Sequence, residues 1–226
     1  MLLQIPRLLD SNQLAECRDA LTGANWTDGR ATAGYLSNAV KHNQQIAESD
    51  PVARRLGKLI LDALDGNQVF ISAALPLKIV PPLFNRYAGG QHYGGHVDGA
   101  VRPVYGTPHR VRTDLSATIF LSAPEEYDGG ELVIEDGSGS RRIKLPAGDM
   151  VLYSGTSVHR VEPVTRGNRL ASFFWIQSMV REDAKREVLF SIDNALQRLG
   201  RDVPGHQSLV EIAGAYHNLL RLWSDT

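Results

Sequence analysis

His96 and Asp98 stand two residues apart in the segment Tyr87-Ala-Gly-Gly-Gln-His-Tyr-Gly-Gly-His96-Val-Asp98-Gly99. In extended backbone both side chains leave the same face, so an imidazole and a carboxylate converge. The pair is two-thirds of the two-histidine, one-carboxylate arrangement that holds non-haem iron and leaves three positions open. Gly94, Gly95 and Gly99 let backbone or substrate come close to a metal. Alone the signal is weak, because a His-x-Asp sequence is more often an ordinary surface pair.

A second segment supplies what the first lacks. Ser157-Val158-His159-Arg160-Val161-Glu162-Pro163-Val164 contributes a further histidine, and Arg169-Leu170-Ala171-Ser172 follows after a turn. His159 is the candidate third ligand, and the guanidinium fork of Arg169 suits a carboxylate. The geometry sets a condition. In a flat hairpin turning at Arg166-Gly167, Arg169 would face Val164, roughly 16 Å of strand from His159. The chain must therefore cross between sheets at a corner if both serve one site.

The elements around these segments read as helix, then strands, then helix. Asp10 is placed to cap a first helix, with Gln13 completing a capping box, Leu14, Cys17 and Leu21 as its apolar stripe and Gly23 as its stop. A second helix starts at Asp50-Pro51 and carries Val52, Leu56, Leu59, Ile60 and Ala63 inward. Short β-rich runs then follow: Val69 to Ser72, Lys78 to Tyr87, Leu115 to Leu121, Glu131 to Glu135, Arg142 to Leu145, Met150 to Tyr153, Arg160 to Val164 and Arg169 to Gln177. Gly- and Pro-rich turns separate them, as in a sandwich, jelly roll or barrel. Two helices close the chain. The first carries Val188, Leu189, Ile192, Leu196 and Leu199 and stops at Gly200; the second carries Leu209, Ile212, Ala213, Tyr216, Leu220 and Trp223. The helices are expected to pack on one β core, with the C-terminal pair as an alternative small subdomain or dimer contact.

Composition narrows the chemistry. In 226 residues, 24 Lys and Arg face 25 Asp and Glu, which excludes a broad basic face for nucleic acid. Area scaling buries about 70% of the extended chain's surface, enough for one large core. The single cysteine, Cys17, forms no internal disulfide or thiolate cluster and reads as a small core residue, so any metal takes nitrogen and oxygen ligands. There is no membrane-length apolar run, and Met1-Leu-Leu-Gln-Ile-Pro-Arg7 lacks the features of a signal peptide, so the expected setting is cytoplasmic.

Other polar residues have plainer readings. His92 lies four residues from His96, but Gly94-Gly95 opposes a zinc helix, and a pocket role fits His92 better. There is no His-Glu-x-x-His for a zinc protease and no Gly-x-Ser-x-Gly elbow for Ser154, Ser157 or Ser172. His42, His109, His206 and His217 read as surface or packing residues. The polar stretch from Gly99 to Arg112, with Arg102 and Arg110, is either a lid with substrate contacts or a solvated loop. Phe173, Phe174 and Trp175 alternate along one strand and read mainly as core.

The series His96-x-Asp98, His159 and Arg169 resembles the iron(II)- and 2-oxoglutarate-dependent dioxygenases, specifically the bacterial PKHD-type hydroxylases. These are relatives of the prolyl 4-hydroxylase catalytic domain and include iron-uptake-associated members. Trp26-Thr-Asp-Gly-Arg-Ala-Thr-Ala-Gly34, Val40-Lys-His-Asn-Gln44, Phe84-Asn-Arg-Tyr87, Arg112-Thr-Asp-Leu-Ser116 and Asp128-Gly-Gly-Glu-Leu132 carry the likeness along the chain. It implies a mainly β fold: a double-stranded β-helix (jelly-roll) core with flanking helices. Residues 1–77 would form helical support and first strands, 78–178 the dioxygenase core and 179–226 a C-terminal helical segment. It implies Fe(II) on His96, Asp98 and His159, with 2-oxoglutarate as cosubstrate. Arg169 would pair with its distal carboxylate, Tyr87 would add a hydrogen bond there, and L-ascorbate would serve as reductant. With both histidines neutral the assembled charges cancel, which avoids an uncompensated buried charge. The implied activity is hydroxylation of an unactivated C–H bond with O2, releasing succinate and CO2. The substrate is a small molecule or a protein side chain, without nucleic acid or membrane as partner. A non-catalytic jelly-roll protein that binds or senses a metal or small acid is the alternative from another class. A nucleic-acid demethylase using the same iron chemistry is the second.

Overall fold

Asp10 caps the first helix as its spacing predicts. Its carboxylate accepts from the amides of Asn12 and Gln13 at 2.8 Å, and Gln13 Oε1 accepts in return from the Asp10 amide at 3.0 Å. The computed structural model describes residues 1–32, 38–137 and 139–225, so the end of the Trp26–Gly34 segment lies outside the described residues. Among them are helices α1 (Ser11–Thr22), α2 (Pro51–Asp65), α3 (Gln68–Ala74), α4 (Asp183–Asp202) and α5 (Ser208–Trp223). Helix α2 starts at Asp50-Pro51 as expected, but its buried face is Ala53, Leu56, Gly57, Ile60 and Leu64. Val52, Leu59 and Ala63 sit at the margin of that face. Val69 to Ser72 is helical rather than a strand. Asn67 Oδ1 caps the Phe70 amide at 2.9 Å, and Phe70, Ala73 and Ala74 are buried at helical spacing. A short apolar run fits either structure, and here the cap decides. Helix α4 runs past Gly200 to Asp202, and its Val188 is exposed.

The strands are β1 (Leu2–Ile5), β2 (Trp26–Asp28), β3 (Lys41–His42) and β4 (Gln44–Ile46). They continue as β5 (Pro76–Ile79), β6 (Leu83–Ala88), β7 (His92–His96) and β8 (Val101–Pro103). Next come β9 (Arg110–Arg112), β10 (Leu115–Phe120), β11 (Tyr127–Gly129) and β12 (Leu132–Asp136). The last are β13 (Gly139–Ile143), β14 (Met150–Ser154), β15 (Val158–Val161) and β16 (Val164–Ser178). The expected run from Lys78 to Tyr87 is thus two strands, β5 and β6, parted at Pro81-Pro82, where the ladder has no donor.

The large sheet follows the order β1-β14-β10-β16-β6-β4-β2, with β5 and β11 also on β16; the smaller sheet is β13-β12-β15-β7-β3. Side chains alternate as period-two strands require. Along β14, Met150 and Leu152 join the core under α1 to α3, while Val151 and Tyr153 join a second core. That second core also holds Leu132, Ile134 and Val161 from the smaller sheet, so the two sheets pack face to face. Helices α4 and α5 pack through Leu189 and Tyr216 onto Leu75 and Val180. This is the mainly β, double-sheet architecture with flanking helices and a C-terminal helical pair. No helix among the described residues is long and apolar enough to cross a membrane.

The chain between Val161 and Val164 leaves the smaller sheet and enters the large one. This is the corner that the separation of His159 and Arg169 demanded.

Candidate metal centre

His159 on β15 lies directly opposite His96 on β7 in the antiparallel register, which sets the ring centroids 4.2 Å apart. Asp98 follows β7 and closes the group; ligand atoms of His96, Asp98 and His159 all lie within 4.8 Å of one another. The Nε2 atoms of His96 and His159 are 3.9 and 3.7 Å from the two Asp98 oxygens. Each ring binds a backbone carbonyl through Nδ1, His96 to Gly94 at 2.9 Å and His159 to Ser157 at 3.1 Å. A carbonyl accepts only, so Nδ1 carries the proton and Nε2 presents its lone pair to the centre. Ser116 Oγ on β10 donates to Asp98 Oδ2 at 2.7 Å, tying the carboxylate to the facing sheet. Burial, then the neighbouring His159, pushes the His96 pKa well down, so it is neutral and ready to ligate. Three nitrogen and oxygen donors on one side of a cavity fit a divalent metal with open positions.

The same cavity reaches Arg169 and Tyr87, which are paired in register on β16 and β6. Arg169 is 1% exposed, and its Nε and Nη2 have no hydrogen-bond partner among the described residues. Its guanidinium lies 5.4 Å from the Tyr87 ring and 5.2 Å from the Phe120 ring. A buried guanidinium with unmet donors costs several kcal/mol unless an anion pairs with it, so these atoms fit a carboxylate entering the cavity. The Tyr87 hydroxyl is also enclosed, and burial pushes its pKa up to about 12, so it is a neutral donor.

The remaining candidates separate. Arg102 lines the cavity from β8, its guanidinium 4.4 Å from the Trp175 ring. Arg110 lies exposed on β9, opposite Pro103, outside the cavity wall. His92 is outside that wall as well, its ring 4.9 Å from His42 on the neighbouring strand. The stretch from Gly99 to Arg112 holds the β8–β9 hairpin rather than an unstructured loop. Trp175 is buried and Phe173 half-buried, and all three residues from Phe173 to Trp175 line the cavity, although Phe174 also belongs to the core under the helices. Lys41, Tyr93, Ser116 and Tyr153 also line it, and sequence reasoning gave them no role. Lys41 and Ser116 lie inside segments that carried the resemblance, the one signal that could have found them.

Comparisons with known proteins give the family of the chain. A family model for the 2OG-Fe(II) oxygenase superfamily matches residues 82–177, and one for the PKHD-type hydroxylase C-terminal domain matches 183–225. A PKHD-type hydroxylase of Bordetella pertussis is 59% identical over 225 residues, covering 100% of both chains. A Trichoplax adhaerens prolyl hydroxylase solved with a hypoxia inducible factor peptide fragment aligns with a TM-score of 0.58 at 15% identity, over 83% of this chain and 86% of that one. HygX of Streptomyces hygroscopicus, solved with nickel, 2-oxoglutarate and hygromycin B, aligns with a TM-score of 0.53 at 15% identity, over 80% and 84%. The last two likenesses concern the fold. With its full-length relative and both family models in accord, the chain belongs to the PKHD-type hydroxylases, Fe(II)- and 2-oxoglutarate-dependent dioxygenases.

Proposed function

We propose that His96, Asp98 and His159 hold the Fe(II) of this dioxygenase and that Arg169 binds the distal carboxylate of 2-oxoglutarate, with Tyr87 beside it. The observation that carries the reading is the buried Arg169, whose Nε and Nη2 lack partners in the cavity that also holds the triad. With iron and cosubstrate bound, the centre consumes O2, releases succinate and CO2, and places a hydroxyl on an unactivated C–H bond. The chain's own residues hold and orient. Gly94 and Ser157 carbonyls fix the imidazole tautomers, and Ser116 fixes the carboxylate. Aromatic side chains of Tyr93, Phe173 and Trp175 keep water from the reacting centre. The near-balanced charge of the chain favours a small molecule or a protein side chain over nucleic acid as substrate.

The test is a pair of substitutions read by anaerobic metal content and 2-oxoglutarate binding, with succinate release as a third readout. Asp98→Ala is expected to lose Fe(II) and all turnover. Arg169→Ala is expected to keep Fe(II) and weaken 2-oxoglutarate by at least about tenfold, the minimum for losing a charge-assisted pair. Turnover retained in folded Asp98→Ala, or unchanged cosubstrate affinity in Arg169→Ala, would overturn the assignment.

A further inference from the structure

Lys41 on β3 and Arg102 on β8 come from distant parts of the chain to the wall of the one cavity that holds the triad. Each cation is set against an aromatic ring. Lys41 Nζ is 5.2 Å from the Tyr93 ring and 6.0 Å from Phe173, and the Arg102 guanidinium is 4.4 Å from Trp175. Phe173 and Trp175 meet edge to face at 5.5 Å, so the rings that carry the two cationic heads are themselves in contact. Among the described residues lining the cavity there are three cations, Lys41, Arg102 and Arg169, and one carboxylate, Asp98. On the reading above, Asp98 is committed to the metal and Arg169 to the cosubstrate. Lys41 and Arg102 then leave the substrate's share of the wall cationic. They also act on each other: after burial, the charge of Arg102 is the next cause that lowers the Lys41 pKa, to about 8. An anion between them would relieve that repulsion.

We propose that Lys41 and Arg102 form a substrate subsite for an organic carboxylate, with an apolar portion of the substrate packed against Phe173 and Trp175. The anion fixes the substrate by an end remote from the reacting carbon, so that binding energy positions a C–H bond that has no handle of its own. This rests on the assignment of Asp98 and Arg169, and the experiment separates the two.

Protein loaded with Mn(II) is kept anaerobic and titrated with benzoate and with its neutral isostere benzamide, with and without saturating 2-oxoglutarate. Calorimetry reads both, and 2-oxoglutarate affinity is measured for every variant. With cosubstrate bound, benzoate should bind at least about tenfold more tightly than benzamide. Lys41→Met and Arg102→Gln should each remove that preference, Arg102→Lys should keep it, and all should leave 2-oxoglutarate affinity within about twofold. Equal binding of the two probes, or a preference that survives both substitutions, overturns the subsite. A loss of 2-oxoglutarate affinity matching the loss of benzoate also overturns it, because the cations would then serve the cosubstrate. If the wild-type protein binds no 2-oxoglutarate, the assignment of Arg169 fails, and the cosubstrate-free titrations decide the subsite by the same criteria. Should Lys41→Met not fold, Arg102→Gln on the hairpin decides alone.

Discussion

Gly130 shows how closely one residue can control the Arg169 end of the cavity. Its φ is +68°, a backbone conformation that side chains rarely adopt. A Cβ there would come within 2.8 Å of Val164 Cγ2, 3.0 Å of Tyr127 Cε2 and 3.1 Å of Arg169 Cδ. Gly130→Ala therefore combines strain with a push on the Arg169 stem. It should cost about 1–3 kcal/mol in chemical denaturation and weaken 2-oxoglutarate while sparing the metal. His96 yields a second prediction at this scale. Burial and His159 hold its folded pKa at about 4, below the ordinary value of 6.5. The unfolded chain then takes up a proton that the apo protein refuses, so this contribution is complete above pH 6.5 and is lost as pH falls toward 4. Thermal unfolding of the metal-free protein should fall more steeply over that window in wild type than in His96→Gln. Parallel profiles would count against it.

Elements differed in how openly the sequence declared them. Helix α1 is local: cap, box partner, stripe and stop lie within fourteen residues, Asp10 to Gly23, and all serve as read. Its energetics are correspondingly separable. Asp10→Ala should cost about 1 kcal/mol of stability and leave metal affinity unchanged, measured by denaturation and metal titration on the same preparation. Helix α3 is hidden in the sequence because Val69, Phe70 and Ile71 favour strands, while the hydrogen bond that Asn67 Oδ1 accepts from the Phe70 amide and the burial of Ala73 and Ala74 hold them helical. The proposed ligands were legible as a His-x-Asp spacing followed by a later histidine, but the expected shared strand face does not hold, since β7 ends at His96 and Asp98 closes the group from the segment beyond it. The joining of His159 to Arg169 was legible only as a requirement, since the crossing after Val161 depends on two sheets packing. Lys41 was not legible as a cavity residue. It stands on a two-residue strand whose place comes from pairing with Tyr93 across the smaller sheet, and no local pattern records that.

At the scale of the molecule, the site draws on both sheets, so binding should be felt as global stability. The smaller sheet carries His96 and His159; the large one carries Ser116, Tyr87 and Arg169. A ligand bound only by the folded form stabilises it by about 2.7 kcal/mol at one hundred times its dissociation constant. In a domain of this size, 1 kcal/mol moves the melting temperature by roughly 2–4 °C. Mn(II) and then 2-oxoglutarate, each at that excess, should therefore raise the Tm by about 5–10 °C apiece under anaerobic conditions. Arg169→Met separates the two steps, because it should retain the metal increment and lose the cosubstrate increment. Its metal-free form should also melt no lower than wild type. The guanidinium is buried with Nε and Nη2 unmet, so on the proposed reading an apolar replacement removes a desolvation cost that a bound anion would offset. A metal-free Arg169→Met protein several degrees less stable than wild type would mean that the arginine is paired within the fold, and that its place beside the cavity serves structure before ligand.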